Sequence, residues 1–174
     1  MGLKEATHDK HKQAERMPFN VRMFRGQLSE KEYAHYLIQQ KIIFFALEED
    51  RLPHPSLTRV EKVSEDIEEL SEKVDLSDLQ SLESTSRYID YLSGLDHDDT
   101  LPHIYLHYLA LMFGGQRMKE KVPSTGRMYD FDDMMGAAQS IRELQLDEWA
   151  DEVNKGFDYM IQIFDELERV HNPS

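Results

Sequence analysis

The sequence contains no cysteine, which excludes disulfide frameworks, thiolate metal centres, thiolate haem ligation and cysteine nucleophiles. It also lacks any run of about 18 apolar residues, and its first twenty residues mix Lys, Glu, Asp and His instead of a basic start followed by an apolar stretch. Neither a membrane span nor an export signal is therefore expected, and a cytoplasmic protein is. Cationic surplus is missing as well: the net charge of −14 argues against nucleic acid as a partner, because phosphates must be neutralised by Lys and Arg. Alternating β-branched runs are absent, so no strand is predicted.

What remains is 174 residues with 40% apolar content, enough for one domain with a buried core. Periodicity of 3.6 residues recurs along the chain and predicts an all-α, single-domain helical bundle over residues 1–174. Leu3, Thr7, His11 and Ala14 fall on one face of a first helix that Pro18 ends. Ser29 and Glu32 form a capping-box pattern opening a second helix to about Glu49. Two acidic helices follow, near 57–73 and 77–93, with weak apolar faces that suggest peripheral positions. A helix from His103 to about Lys121 is interrupted by Gly114 and Gly115, each costing about 1 kcal/mol relative to Ala. Without Cβ atoms, the main chain there can bend for packing or approach a flat ligand. Helices near 132–144 and from Asp147 to Val170 complete the chain, the last burying Trp149, Val153, Phe157, Met160, Ile161, Phe164 and Leu167.

Charge is unevenly distributed. Residues 1–41 carry eight basic and five acidic side chains, leaving −17 on the remainder. A cationic end on an acidic body suits an anionic ligand or an acidic protein.

His11 is the residue with the most chemistry on an otherwise apolar face, since a neutral imidazole can bind iron. Taken alone, such a histidine is more often a core residue than a ligand. A di-iron carboxylate bundle would need two Glu-x-x-His pairs with facing glutamates. Glu32 with His35 and Glu5 with His8 lack those partners.

The stretch LKEATHDKHKQAE from Leu3 to Glu15 resembles the opening of haem oxygenases, and HIYLHYLALMFGGQ from His103 to Gln116 is similar to that family's distal helix. FALEED at 45–50, Val122-Pro123-Ser124-Thr125-Gly126 and FDYMIQIFDEL at 157–167 resemble further family segments; residues 51–100 do not. The resemblance implies haem between a first, proximal helix and a glycine-kinked distal helix. His11 would be the iron ligand, and Gly114 and Gly115 would lie over the porphyrin. Lys4, His8, Tyr105 and Arg142 would face the propionates, Glu15 would receive the imidazole's other proton, and Phe157 and Phe164 would contact the ring.

By the same resemblance, haem is both substrate and cofactor. Dioxygen and electrons from an external donor open the ring to biliverdin, carbon monoxide and ferrous iron. No flavin or nicotinamide motif is present, so a ferredoxin or flavodoxin-type donor is expected. Lys4, Lys10, Lys12, Arg117, Lys119 and Lys121 would steer it in, and a monomer suffices. One position departs from the pattern. Leu111 stands where the family commonly has an aspartate that anchors water for the oxygen chemistry. Either another polar group, His107 or Tyr108 being near, supplies that water, or the chain is a haem carrier or sensor that degrades nothing.

Overall fold

The computed structural model describes residues 1–173, which form nine α-helices and short 3₁₀ turns with no strand among the described residues. In chain order the helices are α1 (Leu3–Ala6), α2 (His8–Glu15), α3 (Pro18–Phe24), α4 (Glu30–Glu48), α5 (Val60–Ser71), α6 (Glu83–Ser93), α7 (His97–Met112), α8 (Met134–Leu144) and α9 (Ala150–His171). None of them is long and apolar enough to cross a membrane.

The predicted first helix is broken in two. Thr7 leaves helical geometry at φ −107°, ψ 2°, and its hydroxyl donates to the Leu3 carbonyl at 2.9 Å. Leu3, Thr7 and Ala14 point inward as expected, whereas His11 is exposed. Pro18 ends one helix and opens the next, occupying the first position of α3, where its missing N–H is no loss. The capping box forms as read: Glu32 N–H donates to Ser29 Oγ at 3.1 Å, and Ser29 N–H donates to Glu32 Oε1 at 3.0 Å. Buried Tyr33, Leu37, Ile43, Phe44 and Leu47 make α4 the central element of the main core.

The two acidic helices are less peripheral than predicted. α5 lies along α4 and buries Val63 and Leu70, while α6 packs on α4 and α9 through Tyr88 and Leu92. Their apolar content is low because polar groups also serve the interior. Buried Asp66 accepts from the main-chain N–H of Arg127 at 3.1 Å and of Met128 at 2.9 Å. Arg59, 1% exposed, donates to the carbonyls of Ser56, Leu57, Met128 and Asp130. Together they hold the 3₁₀ turn at Arg127–Tyr129 against α5.

α7 starts six residues earlier than the periodicity suggested, capped by Asp96, whose carboxylate accepts from Asp99 N–H at 2.8 Å. Pro102 is tolerated near the start, because the Asp98 carbonyl that loses its donor belongs to an exposed residue. At the other end the α-helix stops at Met112, and Gly115–Glu120 continue as 3₁₀. α9 crosses α7 closely at Gly156, where a Cβ would come within 2.6 Å of Leu106 Cδ2. Beside that crossing Leu3, Leu106, Trp149 and Val153 form a second, smaller core, with Tyr105 and Phe157 packed at its edge.

Candidate functional site

Four connections tie the amino-terminal helices to this small core. Leu3 N–H donates to Asp147 Oδ1 at 3.1 Å, Asn154 Nδ2 donates to the Ala6 carbonyl at 3.3 Å, Lys10 pairs with Asp158 at 2.7 Å, and α2 packs along α9. His11 thereby lies over Phe157, the rings stacked with centroids 5.4 Å apart and 16° between planes. Its side chain is 56% exposed, and Nε2 lies 2.9 Å from Glu15 Oε1. Glu15 is thus the imidazole's carboxylate partner at Nε2, which leaves Nδ1 as the ring's other nitrogen.

Tyr105 borders the same small core and meets Trp149 edge to face at 6.1 Å. Burial raises its pKa, and the nearby Arg142 guanidinium opposes that shift. Arg142, from α8, lies 4.5 Å above the ring of Phe113, itself 49% exposed at the end of α7. Ala110, Phe113 and Gly114 form an exposed apolar strip on this helix end. Sequence reasoning passed over Phe113; an aromatic beside paired glycines at a helix end was the available signal.

The paired glycines differ. A Cβ on Gly114 would meet only the Ala110 carbonyl oxygen, at 3.7 Å. On Gly115 it would lie 3.0 Å from that oxygen and from two atoms of the Tyr129 ring. Gly115 therefore serves packing, and Gly114 alone presents open main chain. Lys4 and His8 are exposed on α1 and α2. Leu111 is 5% exposed in the main core, and Phe164 stacks there on Phe19 and Tyr36, away from the small core at the Phe157 end of α9. Among the described residues no three His, Cys, Asp or Glu side chains cluster as a metal site, so a metal would rely on one imidazole and ligands that it brings itself.

The sequence model of the family described as heme oxygenase matches residues 1–166. This chain belongs to the heme oxygenase family. Heme oxygenase 1 of Gallus gallus is 27% identical over 99% of this chain and 70% of its own length. Heme oxygenase 2 of Oryctolagus cuniculus is 26% identical over 96% of this chain and 65% of its own. The chain thus spans about two thirds of the length of these relatives. Among solved structures, heme oxygenase-1 from the cyanobacterium Synechocystis in complex with heme superposes with a TM-score of 0.82 at 20% identity, covering 95% of this chain and 90% of that one. Heme oxygenase from Leptospira interrogans gives 0.81 at 23% identity, over 94% and 97%. The all-α architecture is thus the heme oxygenase fold.

The residues present suit haem: a half-exposed imidazole on an aromatic ring, an exposed apolar helix end with open main chain, and an arginine beside it. The unequal glycines give a separable expectation for this heme oxygenase. Gly114→Val leaves the melting temperature of the ligand-free protein within a few degrees while weakening hemin affinity by more than about tenfold. Gly115→Val destabilises the ligand-free fold by about 1–3 kcal/mol, because its methyls overlap Tyr129. Thermal melts and hemin titrations of the two variants check this. Equal effects on both readouts would contradict the division of labour.

Proposed function

We propose that the chain binds haem through His11 and opens the porphyrin with dioxygen and externally supplied electrons, giving biliverdin, carbon monoxide and ferrous iron. The observation that supports it is the His11 imidazole, set out on Phe157 with Glu15 as its partner, on the helix that resembles the family's proximal helix. Haem supplies the redox chemistry when bound. The chain's residues hold and orient it. His11 ligates iron, Glu15 fixes the ring and raises its basicity, and Lys4, His8, Tyr105 and Arg142 receive the carboxylate edge. Phe157 supports the imidazole, and Phe164 acts from behind through the core.

The donor in this proposal is an acidic ferredoxin or flavodoxin-type protein meeting Lys4, Lys10, Lys12, Arg117, Lys119 and Lys121, and the enzyme works as a cytoplasmic monomer. Hemin added to the pure protein gives a Soret band. With ascorbate or reduced ferredoxin that band is expected to decay as biliverdin absorption grows. A stable Soret band under reductant and oxygen would instead mark a carrier, the reading that buried Leu111 favours. Ferredoxin-driven turnover should fall several-fold between about 50 and 300 mM salt, since the Debye length shrinks below 10 Å. Ascorbate-driven turnover should not. Equal salt responses would remove the docking surface from the proposal.

A further inference from the structure

A buried polar chain runs from α9 through α6 to α7. His103 and His107 are one turn apart on α7, 0% and 5% exposed. The hydroxyl of Tyr88 on α6 sits between them, 2.7 Å from His103 Nδ1 and 2.8 Å from His107 Nε2. His103 Nε2 lies 3.0 Å from Oε1 of Glu152 on α9, an oxygen that also accepts from the Tyr91 hydroxyl.

The positions of the protons follow from the end of the chain. Burial pushes the Glu152 carboxyl up, but bonds from Tyr91 and His103 outweigh it and hold the group below its usual range. Glu152 is therefore ionised near neutral pH and only accepts. His103 Nε2 must carry a proton. Burial lowers the His103 pKa despite Glu152, so the ring is neutral near pH 8 and its Nδ1 is a lone pair that accepts from Tyr88. Burial raises the Tyr88 pKa far above its usual value, so the phenol keeps its one proton and spends it there. Towards His107, Tyr88 can then only accept. His107 Nε2 is the protonated nitrogen, and burial, aided by His103, lowers that ring's pKa to about 3. Its Nδ1 is a bare lone pair. Among the described residues Nδ1 has no protein hydrogen-bond partner.

His107 precedes Leu111 by one turn on the same side of α7. Those four residues rise about 6.0 Å along the axis, comparable with the roughly 5.6 Å that a single water spans with two hydrogen bonds. An aspartate at position 111 would be an acceptor, and Leu111 is not.

We propose that His107 Nδ1 takes the place of that acceptor, anchoring water at the haem face that α7 covers, and that Glu152, His103 and Tyr88 are positioning residues that fix its tautomer. The inference rests on the haem-degrading reading of the site. It also carries a pH response. When His103 becomes charged at acid pH, both its nitrogens donate; Tyr88 then accepts from His103 and donates to His107 Nε2, so His107 must shift to the Nδ1–H form. The acceptor becomes a donor. The charged and titratable groups around His103 are Glu152 and Lys155 on α9, Asp99 and His107 on α7, and Tyr88 and Tyr91 on α6. From α4 the Phe44 ring meets the His107 ring edge to face.

Nitrogen-15 NMR of the histidine-labelled, ligand-free protein tests the tautomer without haem. At pH 8 the Nε2–H form of His107 is expected, changing to Nδ1–H as His103 titrates below about pH 6.5. Nδ1–H at pH 8 overturns the proposal. In the hemin-loaded protein the wild-type rate is expected to fall as His103 becomes charged at acid pH, and Tyr88→Phe should keep hemin affinity but slow ring opening by about tenfold and abolish that acid fall. An unchanged rate and pH profile in Tyr88→Phe would overturn the positioning role. Failure of the haem reading itself is distinct: the wild type would then bind no hemin, whatever the His107 tautomer.

Discussion

His11→Ala is expected to abolish the imidazole-ligated hemin spectrum and to raise the hemin dissociation constant by more than about 100-fold, roughly 2.7 kcal/mol. The size follows from the coordination: among the described residues no group of three or more His, Cys, Asp or Glu side chains is placed to hold a metal in its stead. What remains after the substitution is hydrophobic contact with Phe113, Gly114 and Phe157 and the charge interaction at the carboxylate edge. The fold should hardly notice. The His11 side chain is 56% exposed, and its recorded contacts are the stacking on Phe157 and the bond to Glu15, itself a surface group. Exposed substitutions of this kind fall within about 0.5 kcal/mol. A hemin titration followed at the Soret band, paired with a thermal melt of the ligand-free variant, separates the two effects. If His11→Ala keeps both spectrum and affinity, the iron ligand is elsewhere. If it loses affinity only in proportion to a collapsed melting temperature, the histidine is structural.

Much of the bundle was legible because helix signals are local. The Ser29 capping box and the interruption at Gly114 each lie within a few residues and appear as read, and the apolar stripe of α9 does so at Val153, Met160, Phe164 and Leu167, with Ile163 buried where Ile161 was expected and Phe157 half-buried. His11, Glu15 and Phe157 come together because an i,i+4 pair and a helix stripe are short-range patterns too. The misreadings share a different cause. Thr7 breaks the first helix through its own hydroxyl, a choice that periodicity does not encode. Gly115 is reserved for Tyr129, fourteen residues further on in an irregular turn, so its purpose depends on a tertiary contact. α5 and α6 look peripheral because their buried positions include Asp66, Ser84 and Thr85, which hydropathy counts as surface. The chain from Glu152 to His107 draws on three helices, and no spacing along the sequence announces Tyr88 as its middle member.

Arg59 shows how far such a long-range contact reaches, and Arg59→Met is expected to cost roughly 3–5 kcal/mol. The guanidinium, with the side chain 1% exposed, donates to the carbonyls of Ser56 at 2.9 Å, Leu57 at 3.2 Å, Met128 at 2.9 Å and Asp130 at 2.6 Å, and lies 3.8 Å over the Phe131 ring. Burial lowers its pKa to about 10, with Tyr108, Glu48, Asp130 and Asp132 opposing, so it stays charged at neutral pH. Methionine fills the space but leaves several carbonyls without donors in a dry interior. Lysine keeps the charge but not the planar fork, and should recover only part of the loss. For a domain of this size each kcal/mol is worth about 2–4 °C, so the ligand-free Arg59→Met protein should melt about 10 °C lower. The loss should also reach the site. Met128 and Asp130 flank Tyr129, whose ring closes on Gly115 and whose carbonyl accepts from Gln116 Nε2 at 2.7 Å, the same amide that donates to Leu111 O at 3.2 Å. Freeing this turn loosens the end of α7 that carries Phe113 and Gly114, so hemin affinity should fall along with stability. A melt unchanged within about 2 °C would mean that water replaces the guanidinium at those carbonyls, and Arg59 would then have no hold on the distal turn.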